Sequence, residues 1–125
     1  MTSIFFPTYW VYALLFFAET FTVYVWYYGW DWLSGPRKGI HVGLGVLSNL
    51  FGTAILVVAN SWVTFMMSPA GIDESGALKG GVWAAINNYT WMPINIHRLI
   101  ANIVFGGTIC GAYAAFRFLG AQTQE

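Results

Sequence analysis

Charge is the scarcest property of this chain. Five Lys and Arg and five Asp and Glu make up 8% of its 125 residues and cancel to no net charge, against about 25% charged residues in an ordinary soluble domain. So few charges cannot clothe a monomer of this size in polar surface. No broad electrostatic attraction to phosphate backbones is expected, so nucleic acid is not an expected partner. Cysteine is down to one residue, Cys110. That excludes an internal disulfide and a cysteine-based zinc site, and its apolar surroundings give it a packing role. Walker, G-x-G-x-x-G and H-E-x-x-H motifs are missing. "GLG" at Gly43 to Gly45 follows no strand, and no serine has a triad around it. There is no internal repeat or low-complexity segment. The opening "MTSIFFPTYW" lacks a basic n-region and is not expected to be a cleaved signal peptide.

Apolar residues are what the chain has in quantity. Hydrophobic residues reach 58%, with seven Trp, seven Tyr and ten Phe, and the mean hydropathy is +0.60. A spanning helix needs about 20 mostly apolar residues. Three segments supply them, at about 9–33, 40–67 and 93–119. "SGPRKG" separates the first two. The connection 68–92 is long and is expected to hold a short interfacial helix at about 78–87, anchored by Trp83 and Trp91. The expected fold is an all-α membrane protein with three transmembrane helices in one membrane domain, 1–125.

The few charges give an orientation. Arg37 and Lys38 lie in the first turn and Arg117 near the end of the third span, whereas the second connection has Asp73, Glu74 and only Lys79. The positive-inside rule then puts the first turn and the C-terminus in the cytoplasm, with the N-terminus and the 68–92 loop outside. "NYT" at Asn88 to Thr90 is formally a glycosylation sequon, a match of a length that chance produces often.

Polar groups inside spans are costly and each needs a reason. Glu19 sits about midway along the first span, in "FFAETFTVYVW". It is either a proton-relay carboxyl, or one facing a cofactor, or a neutral group bonding helices together. His97 and Arg98 open the third span. Imidazole is a standard axial ligand of haem iron, and a guanidinium matches a propionate carboxylate. The face running on through Ala101, Val104, Thr108 and Gly111 or Ala112 is mostly small, as a flat macrocycle requires. The competing reading is an interfacial pair touching headgroups or snorkelling outward. His41 lies at the far end of the second span, on a face continued by Gly45, Ser48 and Gly52. It is a second candidate ligand, or a bystander beside a helix-packing stripe. It lies too far from His97 to share one haem within one copy. Asn60 and Trp62, in "VVANSWVTF", lie at the end of the bundle that carries His97 and Arg98, so these four residues are expected to gather there. Asn60 orients a ligand or bonds to the backbone. Trp62 shields a cofactor edge or marks the membrane interface.

"SNLFGTAILVVANSW" followed by "PAG", the later "INIHRLIANIVFGG", and the earlier "FFAETF" and "YYGWDWL" together resemble subunit I of the cytochrome bd-type quinol oxidases. Their order and approximate spacing match that family's third to fifth helices, and the likeness covers most of the chain. The resemblance implies that His97 ligates a low-spin haem b and that Glu19 is the inner carboxylate associated with proton delivery. It also implies that Asn60 and Trp62 lie near the haem. It does not extend specifically to Arg98. The chain departs from the family in three places. Val11 stands where a second glutamate is usual, and Val63 and Thr64 replace a Met-Gln pair. Six residues, more than in the family, separate Trp62 from Pro69. The family's other haem-ligating helices and its quinol-binding loop have no counterpart in these residues, which alone are not expected to bind its full set of haems or to reduce oxygen.

The expected function follows. The chain is a haem b-binding membrane subunit of a multi-subunit respiratory redox complex in a bacterial or archaeal cytoplasmic membrane, moving electrons between the quinone pool and a partner. At least one haem b is expected, and a quinone is a further candidate. The second axial ligand must come from another membrane subunit, a second copy of this chain, or a site here not yet identified. The rival is an accessory structural subunit that binds lipid or quinone but no haem. A transporter subunit has less support, since only Glu19 could couple an ion and no broken-helix pair is present.

Overall fold

The structure, a computed structural model, describes residues 3–122. Helix α1 covers Phe6–Tyr28, a 3-10 turn covers Gly35–Arg37, α2 covers Lys38–Met67, α3 covers Gly81–Ile86 and α4 covers Trp91–Gln122. No strand occurs among the described residues; a lone antiparallel bridge joins Ile72 to Leu78. Three helical stretches, Phe6–Tyr28, Gly35–Met67 and Trp91–Gly120, are long and apolar enough to cross a membrane. The expected all-α membrane fold with three spans is therefore what the chain adopts.

Each helix boundary has a local cause. Pro7 sits in the first turn of α1, where its missing N–H removes nothing. That helix stops at Tyr28, earlier than the apolar run to Leu33 suggests. The chain folds back instead, with Leu33 N–H donating to Gly29 O at 2.7 Å. A Cβ on Gly29 would lie 2.5 Å from Val25 O and 2.9 Å from Leu33 Cδ1, so a larger residue would force this turn to shift. Pro93 is likewise tolerated in the first turn of α4. That helix runs longer at both ends than the span at 93–119. The short helix expected at about 78–87 is confined to Gly81–Ile86, and its start is set by Gly80 and Gly81, which both take left-handed φ, 103° and 74°.

Packing is concentrated at one end. Phe5, Phe65, Ala85 and Ile86 form a small buried cluster, with Tyr9, Trp62, Val82 and Trp91 against it. The Phe5 and Phe65 rings meet edge to face at 5.2 Å. Hence the start of α1, the end of α2, α3 and the start of α4 share one end of the bundle. This matches the expectation that the N-terminal segment and the 68–92 loop lie on the same side. Elsewhere many apolar side chains are exposed, although Leu15, Val25 and Leu44 are half-buried and Leu33 is buried at the far end. Every residue of α4 from Ile96 to Gly120 is exposed, the pattern of helices solvated by lipid or by neighbouring helices.

Candidate functional site

The polar residues of the spans gather in three places. The first is the packed end, where α2 meets α3 and α4. Val57, Asn60, Ser61 and Thr64 recur on α2 at helical spacing and form one face. Trp91 Nε1 donates to Val57 O at 3.2 Å. Asn60 Nδ2 donates to Asn95 Oδ1 at 2.6 Å, and Arg98 Nη1 donates to Asn60 Oδ1. Thr64 Oγ1 donates to Asn60 O at 2.7 Å and accepts from Asn88 Nδ2 at 3.0 Å. Thr90 Oγ1 completes the set by donating to Asn88 Oδ1 at 2.8 Å. Asn60 and Thr64 are fully closed off from solvent, and Asn88 and Asn95 are nearly so. Buried amides and hydroxyls left unpaired here would cost about 1–3 kcal/mol each. The network removes most of that cost and fixes how α4 leaves the bundle.

Of the four residues expected to gather at this end, the structure joins two. Arg98 and Asn60 are in direct contact. Trp62 follows Asn60 by two residues, about 200° around the helix, and so faces α1. Its ring lies 4.9 Å from Tyr9 and 5.4 Å from Tyr12. His97 shares the level of Arg98 but lies about 100° around α4 from it. It is exposed, and its ring makes no hydrogen bond among the described residues. Asn88 and Asn95 are the members that sequence reasoning missed. Asn88 had drawn notice only as a sequon, yet its amide is consumed inside the protein and the residue is 4% exposed.

The second place is midway along the helices. Glu19 lies against Gly52, where a Cβ would come 2.8 Å from Glu19 Oε1. The carboxyl lines a cleft of about 570 Å³ between α1, α2 and α4, with Ser48, Asn49, Thr53 and Asn102 as its other polar walls. Asn49 Nδ2 and Thr53 Oγ1 turn back onto their own helix, to Gly45 O at 2.9 Å and Asn49 O at 2.8 Å. Glu19 itself has no hydrogen-bond partner among the described residues. It therefore does not bond helices together here; it presents a carboxyl to a polar cleft.

The third place is the opposite end of α2, 19 residues and about 28 Å from Asn60 along the axis. The His41 ring stacks on Trp26 at 5.3 Å and meets Trp30 at right angles at 4.8 Å. Both ring nitrogens are closed off from solvent and lack a hydrogen-bond partner. In this pose neither ring nitrogen faces open space, so ligation of iron would require the ring to leave its aromatic seat. His41 and His97 stand at opposite ends, as the spacing requires.

Three long apolar helices, a buried polar junction and a carboxyl without a partner among the described residues define an integral membrane protein. The chain belongs to the cytochrome bd terminal oxidase subunit I family, which it matches over residues 1–125. No curated protein and no solved structure matches it. Family membership makes the chain a membrane respiratory subunit.

Proposed function

We propose that this chain holds haem b at the packed end of its bundle and passes electrons between the quinone pool and a partner subunit. The observation that carries the reading is the pairing of a free, exposed His97 with an Arg98 pinned to Asn60. The residues fit the group. His97 has an unengaged imidazole at the start of a helix face carrying Ala101, Val104, Thr108 and Gly111, and nothing lies within 4 Å of a Cβ built on Gly111. His97 would supply one axial nitrogen and Arg98 a partner for a propionate. When bound, the haem carries the electron, and the chain's part is to set its potential through ligand, burial and charge. A second ligand, if the haem takes one, would come from another membrane subunit or a second copy, since His41 is at the far end. Asn60 acts through Arg98, and Trp62 acts on α1 rather than on the haem edge.

A proton-relay role for Glu19 is supported by its carboxyl, without a partner among the described residues and lining a polar cleft, together with the resemblance. The charge distribution supports an outer location for the packed end and a cytoplasmic C-terminus, in a prokaryotic cytoplasmic membrane. A second reading, an accessory subunit that binds lipid or quinone without haem, draws on a different feature. A cleft of about 610 Å³, lined by Pro7, Val11, Val57, Val82, Trp83 and Ile86, opens beside α3. The visible spectrum of the purified complex separates the two. Loss of one b-type haem in His97→Ala is the expected result. An assembled His97→Ala complex with its haem count and spectrum unchanged would reject the haem assignment and leave the accessory reading.

A further inference from the structure

Arg98 is a cation without a counter-charge: among the described residues it forms no ion pair. Its guanidinium offers five N–H donors in a fixed fork. One of them is given to Asn60 Oδ1. An exposed arginine near a membrane surface ordinarily swings its head to water. Here the head is tied to an amide that is itself tied. Asn60 is 0% exposed, and its Nδ2 donates to Asn95 Oδ1 at 2.6 Å. Asn95 and Arg98 are three residues apart and share a face of α4, so the Asn60 side chain reaches both. The bonds run in one direction. Donation from Asn60 to Asn95 strengthens the Asn60 carbonyl as the acceptor for Arg98. Asn95 is 6% exposed, and its Nδ2 has no acceptor among the described residues. The cluster therefore has surplus donors, positive charge and no anionic acceptor.

We propose that these three residues form an oxyanion site. Arg98 contacts the ligand, and Asn60 and Asn95 are positioning residues that hold the guanidinium before the ligand arrives. The ligand is a carboxylate or a phosphate. One source, a haem propionate, rests on the haem reading above. The other, the phosphate of a lipid headgroup, does not. Asn95 is the new element. It acts by holding Asn60, whose side chain in turn holds Arg98.

Two variants of the purified complex test this. Arg98→Gln removes the cation from an exposed position. Asn95→Asp keeps the oxygen that accepts from Asn60, removes the stranded amide and places a negative charge one turn from Arg98. Both are expected to lose the oxyanion while the complex still assembles. The readouts are the haem b midpoint potential, the haem count and the phospholipid phosphorus retained per complex. A propionate ligand gives a lower potential in both variants at constant haem and phosphorus. A lipid phosphate gives the loss of one phosphorus with the potential unmoved. If neither quantity changes in either variant, the oxyanion site is wrong and Arg98 is merely solvated. If Arg98→Gln acts and Asn95→Ala, which removes the oxygen that holds Asn60, does not, the positioning role of Asn95 is wrong. Should Asn95→Asp fail to assemble, Asn60→Asp gives Arg98 the same internal counter-charge with the same expected loss. A wild-type complex with no haem on this chain would defeat the proposed function but not this site, which the phosphorus count would then decide.

Discussion

Glu19 and Gly52 are in contact across α1 and α2, with a Cβ at residue 52 falling 2.8 Å from Glu19 Oε1. The carboxyl occupies space that any larger residue on α2 would take from it. Gly52 thus sets the direction in which Glu19 enters the polar cleft.

Gly52→Ala is expected to displace the Glu19 carboxyl, whose flexible end can move, at a stability cost of about 1 kcal/mol or less. If Glu19 relays protons, Glu19→Gln should slow quinol-linked turnover by roughly a hundredfold. Gly52→Ala should slow it in part. The double variant should be no slower than Glu19→Gln alone, because both changes act on one group. Turnover rates of the four complexes check this, and additive losses would show that Gly52 acts elsewhere.

His41→Phe keeps a flat ring between Trp26 and Trp30 and removes two nitrogens that lack partners. An unsatisfied buried polar group costs about 1–3 kcal/mol, so this variant should be as stable as the parent or more so. His41→Ala should lose about 2–4 kcal/mol through the vacated space. Thermal unfolding in detergent measures both. The haem count should not change in His41→Phe, and a lost haem would restore His41 as a ligand.

The 73–77 turn should loosen in acid. The side-chain hydroxyl of Ser75 is the chief cause holding the Asp73 carboxyl below its ordinary range, followed by the backbone N–H of Ala77. A group whose folded value is depressed contributes order that is complete above its unfolded value and lost as pH falls through the folded one. The turn should therefore be intact above about pH 4 and open progressively below it. Amide exchange at Ser75 and Ala77 should accelerate in that window, and Asp73→Asn should remove the pH dependence. The bundle should not respond, because Asp73 lies on an exposed loop.

Much of the site was legible because a polar or ionisable residue in an apolar run stands out. Glu19, Asn60, His97 and Arg98 were all visible in that way. Asn88 and Asn95 were not, since asparagine near the end of a span is ordinary. Their partners Thr64 and Asn60 lie 24 and 35 residues away, beyond the reach of any local pattern. Trp62 shows the converse. Its neighbour in sequence is Asn60, but a helix sends residues two apart to opposite faces.

The sequence by itself determined that this chain lives in a membrane, how many times it can cross, and roughly where each helix begins and ends. Hydropathy accumulates along the chain, and proline and glycine act on the residues next to them. Only the tertiary structure decided that Asn60 serves Arg98 while Trp62 serves α1, that Glu19 opens into a cleft, and that His41 is locked between two indoles. Those outcomes depend on how each helix is rotated and where it crosses its neighbour. That is set by contacts such as Phe5 with Phe65 and Asn60 with Asn95, which join residues far apart in the chain.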